Sequence, residues 1–281
     1  MVVSGIICEY NPFHRGHEAH IRATRELLGG DAAVICVMSG NFVQRGEAAI
    51  LSKHARAGMA LSCGADLVLE NPLPWAIASA ERFALGGVAV LDSLGLPLSL
   101  SFGSECGDIA ALSRTAELLS GGGVLEAAKS GLKAGISFAS AREAAVRALD
   151  PEAAELLRQP NNILAVEYLK AIKALGAENI TPVTVKRILT EHDGAAEGGL
   201  APASLLRERL RSGGGVNEFV PEAAMAVLRR ETQAGRAPGD PKKIEPAILW
   251  RLRTMTEGEW AALPDATEGL WRRVAGATPP V

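Results

Sequence analysis

Two histidines three residues apart, His14 and His17, flank a glycine in the stretch Gly5–His20, which reads G-I-I-C-E-Y-N-P-F-H-R-G-H-E-A-H. At the mouth of a helix, imidazoles at that spacing can both donate hydrogen bonds to one phosphate chain. Gly16 between them removes the side chain that would hold a flat ring, such as a base or ribose, away from the backbone. Arg15 adds a donor that stays charged at every working pH. The competing reading is a pair of surface loop histidines, because a string as short as H-x-G-H recurs by chance.

The surrounding elements favour the phosphate reading. Val2–Cys8 is short, β-branched and uncharged, the pattern of a buried strand in a parallel sheet. Asn11-Pro12 is a turn signal, since proline drives the preceding residue out of the helical region. A helix is expected after Gly16, because Glu18 to Leu28 carries apolar or small residues at helical spacing and Gly29-Gly30 stops it. His14 to His17 therefore falls where a first strand's C-terminal edge meets a helix N-terminus. Unpaired N–H groups and a partial positive charge there favour an anion.

Further strands are expected at Ala32–Met38, Asp66–Glu70, Pro97–Phe102 and Ile180–Leu189, with helices at Lys53–Cys63 and Ala76–Leu94 between them. That alternation predicts an α/β, doubly wound parallel sheet. The loop Ser39–Glu47 follows the second strand at the ligand edge, so Asn41, Gln44 and Arg45 either face the site or form an ordinary polar loop. Gly103, directly after the fourth strand, would let a base or ribose approach closely. Residues 106–158 read as a helical insertion beside the sheet. Pro160-Asn161-Asn162 opens a helix over Ile163–Leu175, which asparagine capping alone would explain. Arg187, at the end of the last strand, suits a bidentate grip on phosphate. The expected division is a sheet-bearing domain over 1–195 and a helical C-terminal region over 196–281, with Ala237-Pro238-Gly239-Asp240-Pro241 as a linker.

Composition narrows the class. With 281 residues, 48% of them hydrophobic, the chain can bury a sizeable core and is not globally disordered. A net charge of −3 gives no overall basic excess, so any RNA contact must be a local patch such as Arg207–Arg211, Arg229-Arg230, Lys242-Lys243 or Arg272-Arg273. Cys8, Cys36, Cys63 and Cys106 form no C-x-x-C pair, which removes zinc and redox motifs and leaves buried free thiols. The N-terminus does not read as a signal peptide and no apolar run is long enough for a bilayer, so a cytoplasmic location without membrane association is expected.

H-R-G-H resembles the H-I-G-H signature of the nucleotidylyltransferase superfamily, which shares its ATP-binding half with class I aminoacyl-tRNA synthetases. The longer E-Y-N-P-F-H-x-G-H resembles the bacterial tRNA(Met) cytidine acetate ligase family. S-G-N-F-x-Q-R-G-E with Lys53, F-G-S-E around Gly103, P-N-N-I-L-A-x-E-Y, and the His192-Asp193 pair are similar to further motifs of that family. Leu200–Arg207, L-A-P-A-S-L-L-R, resembles a second phosphate motif of the form I-S-S-x-x-I-R, from which Pro202 and Ala203 depart. Glu268 to Arg273 resembles the family's E-G-L-x-x-R element, beyond which the family continues into a Lys/Arg-rich segment; the C-terminal region is therefore expected to be short relative to the family.

The resemblance implies a Rossmann-like HIGH nucleotidyltransferase fold. It implies ATP bound by Ile7, Glu9, Tyr10, Asn11, Pro12, Phe13, His14, Arg15, Gly16, His17 and His20 of the first turn. Gly103, Asn161, Asn162, Arg187, Ser204 and Arg207 complete that set, with Asn41, Gln44 and Arg45 as a substrate loop. His14, His17 and Arg187 would be catalytic, and Mg²⁺ would arrive on the phosphates without a metal site of the protein's own. The implied reaction is ATP-dependent activation of acetate to acetyl-adenylate, then acetylation of N4 of the wobble cytidine of elongator tRNA(Met). The alternatives are a small-molecule nucleotidylyltransferase and a nucleotide-binding module without activity.

Overall fold

The first strand, β1 (Val3–Cys8), is covered on both faces, which is why its sequence runs apolar without alternation. In the computed structural model, residues 2–133, 138–187, 199–263 and 269–278 are described. Helix α1 (Arg15–Leu27) leads to β2 (Ala33–Ser39), then α2 (Lys53–Ser62) to β3 (Leu67–Asn71). The short α3 (Leu73–Ala76) and α4 (Ala80–Asp92) lead to β4 (Leu98–Ser104). Helices α5 (Ile109–Ser120), α6 (Gly122–Lys133), α7 (Phe138–Leu149), α8 (Pro151–Leu156) and α9 (Pro160–Leu175) precede β5 (Ile180–Lys186). Then come α10 (Ala203–Arg211) and α11 (Glu222–Gln233).

The sheet is parallel throughout, in the order β3-β2-β1-β4-β5. The progression of strand order reverses between β1 and β4, the place where doubly wound sheets bind ligands. The β1–β4 ladder consists of Ser4↔Ser99 and Gly5↔Leu100 alone, whereas β4 and β5 stay paired from Leu98↔Ile180 to Ser104↔Lys186. Beyond Gly5 the two central strands part and open a crevice at their C-terminal ends.

One face of the sheet buries Ile6, Val34, Cys36 and Met38 under Ile21 of α1, Met59 of α2 and Met225 and Leu228 of α11. The other buries Ile7, Val37 and Leu100 under Phe83, Val88 and Leu91 of α4, Leu112 of α5 and Val166 of α9. A third cluster, Val124, Ala128, Ala141, Ala145, Val146, Ala153 and Ala154, holds α6, α7 and α8 together. The separate insertion thus begins at α6; α5 belongs to the sheet's own core.

Several boundaries differ from the sequence reading. The helix expected over Ala76–Leu94 is two, because Ala76 N–H bonds back to Pro72 and closes one turn, and Ser79 starts a new helix by accepting from Phe83 N–H at 2.8 Å. Gly103 lies inside β4 instead of after it. Of the four free cysteines only Cys36 is fully buried; Cys8, Cys63 and Cys106 are half-buried. The boundary expected at 195/196 moves to 238/239: the first compact unit runs Met1–Pro238 and the second Gly239–Val281. The reason is burial, since Leu206, Val216, Phe219 and Val220 join the core beneath β1. Within the second unit lie α12 (Glu245–Thr254), α13 (Glu257–Ala261) and α14 (Leu270–Ala277). There Thr256 and Glu259 cap α13 reciprocally and Arg251 pairs with Glu259 at 2.6 Å. Among the described residues no helix is long and apolar enough to cross a membrane.

Candidate active site

The turn from β1 to α1 is held by its own rings. Tyr10 adopts φ 46°, a conformation costly for a bulky side chain. Its buried ring lies 4.9 Å from Phe13 and 4.7 Å from His17, and its hydroxyl is 3.4 Å from the Cys36 sulfur. The Asn11–Pro12 peptide is cis. Arg56 of α2, wholly buried, donates to the carbonyls of Leu51, Ser39, Gly40 and Glu9, and so ties the ends of β1 and β2 to the loop between β2 and α2.

His14 is the N-cap of α1. Its Nδ1 accepts from Gly16 N–H at 3.1 Å, while His17 Nδ1 accepts from His14 N–H at 3.2 Å. This is a reciprocal capping box with imidazoles in place of the usual Ser and Glu. Both Nδ1 atoms act as acceptors, so each neutral ring carries its proton on Nε2 and offers a donor on the edge away from the backbone. The rings stack at 3.6 Å. Gly16 is required for this geometry, because a Cβ there would lie 2.9 Å from the His14 ring. Burial, then the Arg187 charge, holds both His14 and His20 at a pKa of about 4. Burial also pushes His17 down, followed by the charges of His14, Arg187 and His20.

This has a consequence for stability. The unfolded chain takes up protons on these rings near the ordinary 6.5, the folded one only near 4 for His14 and His20. Between those values the unfolded state binds more protons, so stability is lost as pH falls through that window. Urea midpoints measured at about pH 7.5, 5.5 and 4.5 should decline in that order. A midpoint unchanged down to the lowest value would mean the rings titrate freely.

Across the crevice, Arg187 is fixed by its N–H to Ser104 O at 2.9 Å and by Nη1 to Asn161 Oδ1 at 3.2 Å. Its stem passes over Gly103, where a Cβ would sit 3.0 Å from the arginine Cγ. Glu105 supplies the anion at the start of α9: Oε1 accepts from Asn161 N–H and Nδ2, and Oε2 from Asn162 N–H. The asparagines therefore do not cap the helix themselves. Asn162 is buried and accepts from the backbone N–H groups of Glu105 and Cys106, bracing the turn after β4 without reaching the crevice. His20 Nε2 lies 3.2 Å from Ser101 Oγ.

Two adjoining clefts of about 240 and 260 Å³ share a wall made of His17, His20, Gly103 and Arg187. The smaller also takes in Ile7, Glu9, Tyr10, Asn11, Asn161 and Arg207, and Gln44 from the substrate loop. Glu9 Oε1 accepts from Gln44 N–H at 2.7 Å, and burial raises its carboxyl above the ordinary range. Arg207 donates to Asn11 O at 2.9 Å and pairs with Glu47, so it supports the turn as well as lining the cleft. The larger takes in His14 and Gly16 with Ala19, Ala23, Lys186 and Leu200.

Other expected residues lie elsewhere. Pro12 and Phe13 are buried beneath the turn, Phe13 in the core. Arg15 is exposed and turned away, donating through Nε to Glu218 O at 2.9 Å and through its backbone N–H to Phe219 O at 2.8 Å. Ser204 is exposed, and Ala203 lines the smaller cleft in its place. Asn41 is exposed and accepts from Lys53 N–H, while Lys53 Nζ pairs with Glu70 at 2.6 Å. Arg45 falls in the 3-10 turn Gln44–Gly46 with its side chain outside the described set, and His192 and Asp193 lie outside the described residues. The sequence reading gave no site role to Phe83, Phe102, Leu164 and Tyr168, which line the smaller cleft; Phe102 belongs to the F-G-S-E string and Leu164 and Tyr168 to P-N-N-I-L-A-x-E-Y, whereas Phe83, an apolar residue at core spacing, carries no signal of its own. It also missed Arg56, whose burial nothing local announces.

A profile of the HIGH Nucleotidyl Transferase family matches residues 1–279. The tRNA(Met) cytidine acetate ligase of Syntrophotalea carbinolica is 48% identical over 230 residues, 80% of this chain and 54% of that one. The protein of the same name from Acetivibrio thermocellus is 38% identical over 291 residues, 99% of this chain and 69% of its own. Crystal structures of Thermotoga maritima TmcAL, apo and bound with alpha-thio ATP, superpose with TM-scores of 0.91 and 0.88 at 36% and 35% identity. Each match covers 99% of this chain and 68% of that one. The chain thus spans from about half to just over two thirds of the length of the relatives it matches.

Proposed function

The chain belongs to the HIGH nucleotidyl transferase family, among the tRNA(Met) cytidine acetate ligases, and from that premise we propose that it activates acetate with ATP and acetylates the wobble cytidine of elongator tRNA(Met). The observation that carries this reading is the convergence of two Nε2 donors at the α1 N-terminus with Arg187 on one crevice between β1 and β4. ATP binding is supported by the alpha-thio ATP that the similar Thermotoga maritima protein holds.

An acetate oxygen attacks the α-phosphorus, the bond to pyrophosphate breaks, and acetyl-adenylate forms. Charge builds on the α-phosphate and on the departing pyrophosphate. Donors already fixed by caps and carbonyls stabilise that charge without reorganising. The cytidine N4 amine then attacks the acetyl carbonyl, AMP leaves, and the amine loses a proton. No side chain acts as nucleophile; the protein aligns the reactants. Among the described residues no cluster of three His, Cys, Asp or Glu could hold a metal. We assign Mg²⁺, which would neutralise phosphate charge when bound, to the triphosphate. The place of action is the cytoplasm, where tRNA and ATP meet.

The test is incubation with ATP, labelled acetate and unmodified tRNA(Met), scoring acetyl-AMP and acetylated cytidine separately. Both are expected. Acetyl-AMP alone would confine this chain to the first half-reaction. Neither, with ATP still bound, would leave only a nucleotide-binding module.

A further inference from the structure

We infer that Glu9, directly after β1, is the base that takes a proton from the cytidine N4 amine as the acetyl group passes to it. The inference rests on the acetyl-transfer reading above, which leaves that proton without an acceptor. Glu9 lines the smaller cleft together with His17 and Arg187, the donors assigned to the α-phosphate. In the adenylate the acetyl carbonyl is joined to that phosphate through one oxygen, so the attacking amine must come beside the same donors. Glu9 is anchored there by one oxygen only. Its Oε1 accepts from Gln44 N–H at 2.7 Å, and Oε2 has no hydrogen-bond partner among the described residues.

The other ionisable groups of that cleft do not serve. Glu9 is the one carboxylate among its described lining residues. Arg187 and Arg207 stay charged and only donate. His17 has its Nδ1 committed to His14 N–H and presents a protonated Nε2. His20 is held at about 4 by burial and then by the Arg187 charge, and so is a weak acceptor. Burial raises the Cys8 thiol and the Tyr10 and Tyr168 hydroxyls, which keeps all three protonated. Burial also raises the Glu9 carboxyl, against the lowering by Gln44 N–H, Arg207 and Arg56. A raised carboxyl is the stronger base once ionised. In the step itself the N4 lone pair forms the bond to the acetyl carbon, and Oε2 takes one N4 proton. The bond from that carbon to the phosphate oxygen breaks with its electron pair leaving on AMP, and Glu9 then yields the proton to water.

The test supplies acetyl-AMP and unmodified tRNA(Met) directly, which bypasses activation, and compares the unaltered chain with Glu9→Gln and Glu9→Asp. Glutamine still accepts from Gln44 N–H through its amide oxygen, so the loop keeps its anchor while the base is lost. The melting transition reports that each variant is folded. With glutamine, acetylation of cytidine at saturating tRNA should fall at least about 100-fold. That loss should exceed, by at least about 10-fold, the loss in acetate-dependent exchange of labelled pyrophosphate into ATP. Aspartate, which keeps a carboxylate, should retain more of the transfer rate than glutamine does. Equal losses in transfer and exchange would reduce Glu9 to an anchor and overturn the inference. A smaller loss of transfer in a folded Glu9→Gln, or aspartate no better than glutamine, would overturn it too. In each of these cases transfer by the unaltered chain keeps the acetylation reading intact. An unaltered chain that acetylates no cytidine would overturn both.

Discussion

His17→Ala should lower acetate-dependent pyrophosphate exchange by about 10²- to 10³-fold, the usual effect of removing one preorganised donor to a developing oxyanion. The ring donates through Nε2 because its Nδ1 is committed to His14 N–H. The same substitution also weakens the fold. It removes the N3 partner of the capping box and a ring packed 3.6 Å from His14 and 4.7 Å from Tyr10, at a cost of about 0.5–2 kcal/mol. His17→Gln separates the two roles, since glutamine at N3 can accept from the N-cap N–H as the imidazole does. Stability should return with glutamine and the rate should not. Recovery of both would reduce His17 to a cap.

Arg56→Met should cost at least about 3 kcal/mol in urea unfolding, the largest stability effect expected of any single change outside the apolar core. Methionine fills much of the volume but leaves the carbonyls of Glu9, Ser39, Gly40 and Leu51 without their donor. Each buried acceptor so stranded loses about 1–3 kcal/mol before relaxation. Arg56→Lys should rescue little, because one ammonium cannot span carbonyls from three segments as a planar guanidinium does. ATP affinity should fall with stability, since Glu9 borders both this staple and the smaller cleft. A loss of less than about 1 kcal/mol would mean that water replaces the guanidinium without strain.

The alternation of strands and helices along the chain, the parallel sheet and the place of the His-Gly-His turn were all legible in the chain itself. Short uncharged β-branched runs such as that of β1 form only where both faces are covered, and a strand followed by a helical pattern leaves few topologies. The chemistry of the first turn was legible for the same local reason: Gly16, His14 and His17 interact with one another across three residues. What sequence could not supply was the direction of side chains whose partners are remote. Arg15 and Arg187 are both arginines at the edge of the same crevice, yet one bonds to a carbonyl 203 positions away and leaves it, while the other is aimed across it by Asn161. Asn162 is held away from the crevice by the same kind of contact, and Phe83, Phe102 and Tyr168 line it because β1 and β4 part company above Gly5. Local spacing fixes which groups a turn can bring together. Which of them meet a ligand is decided by hydrogen bonds and packing between segments far apart in the chain, and these exist only once the sheet has assembled.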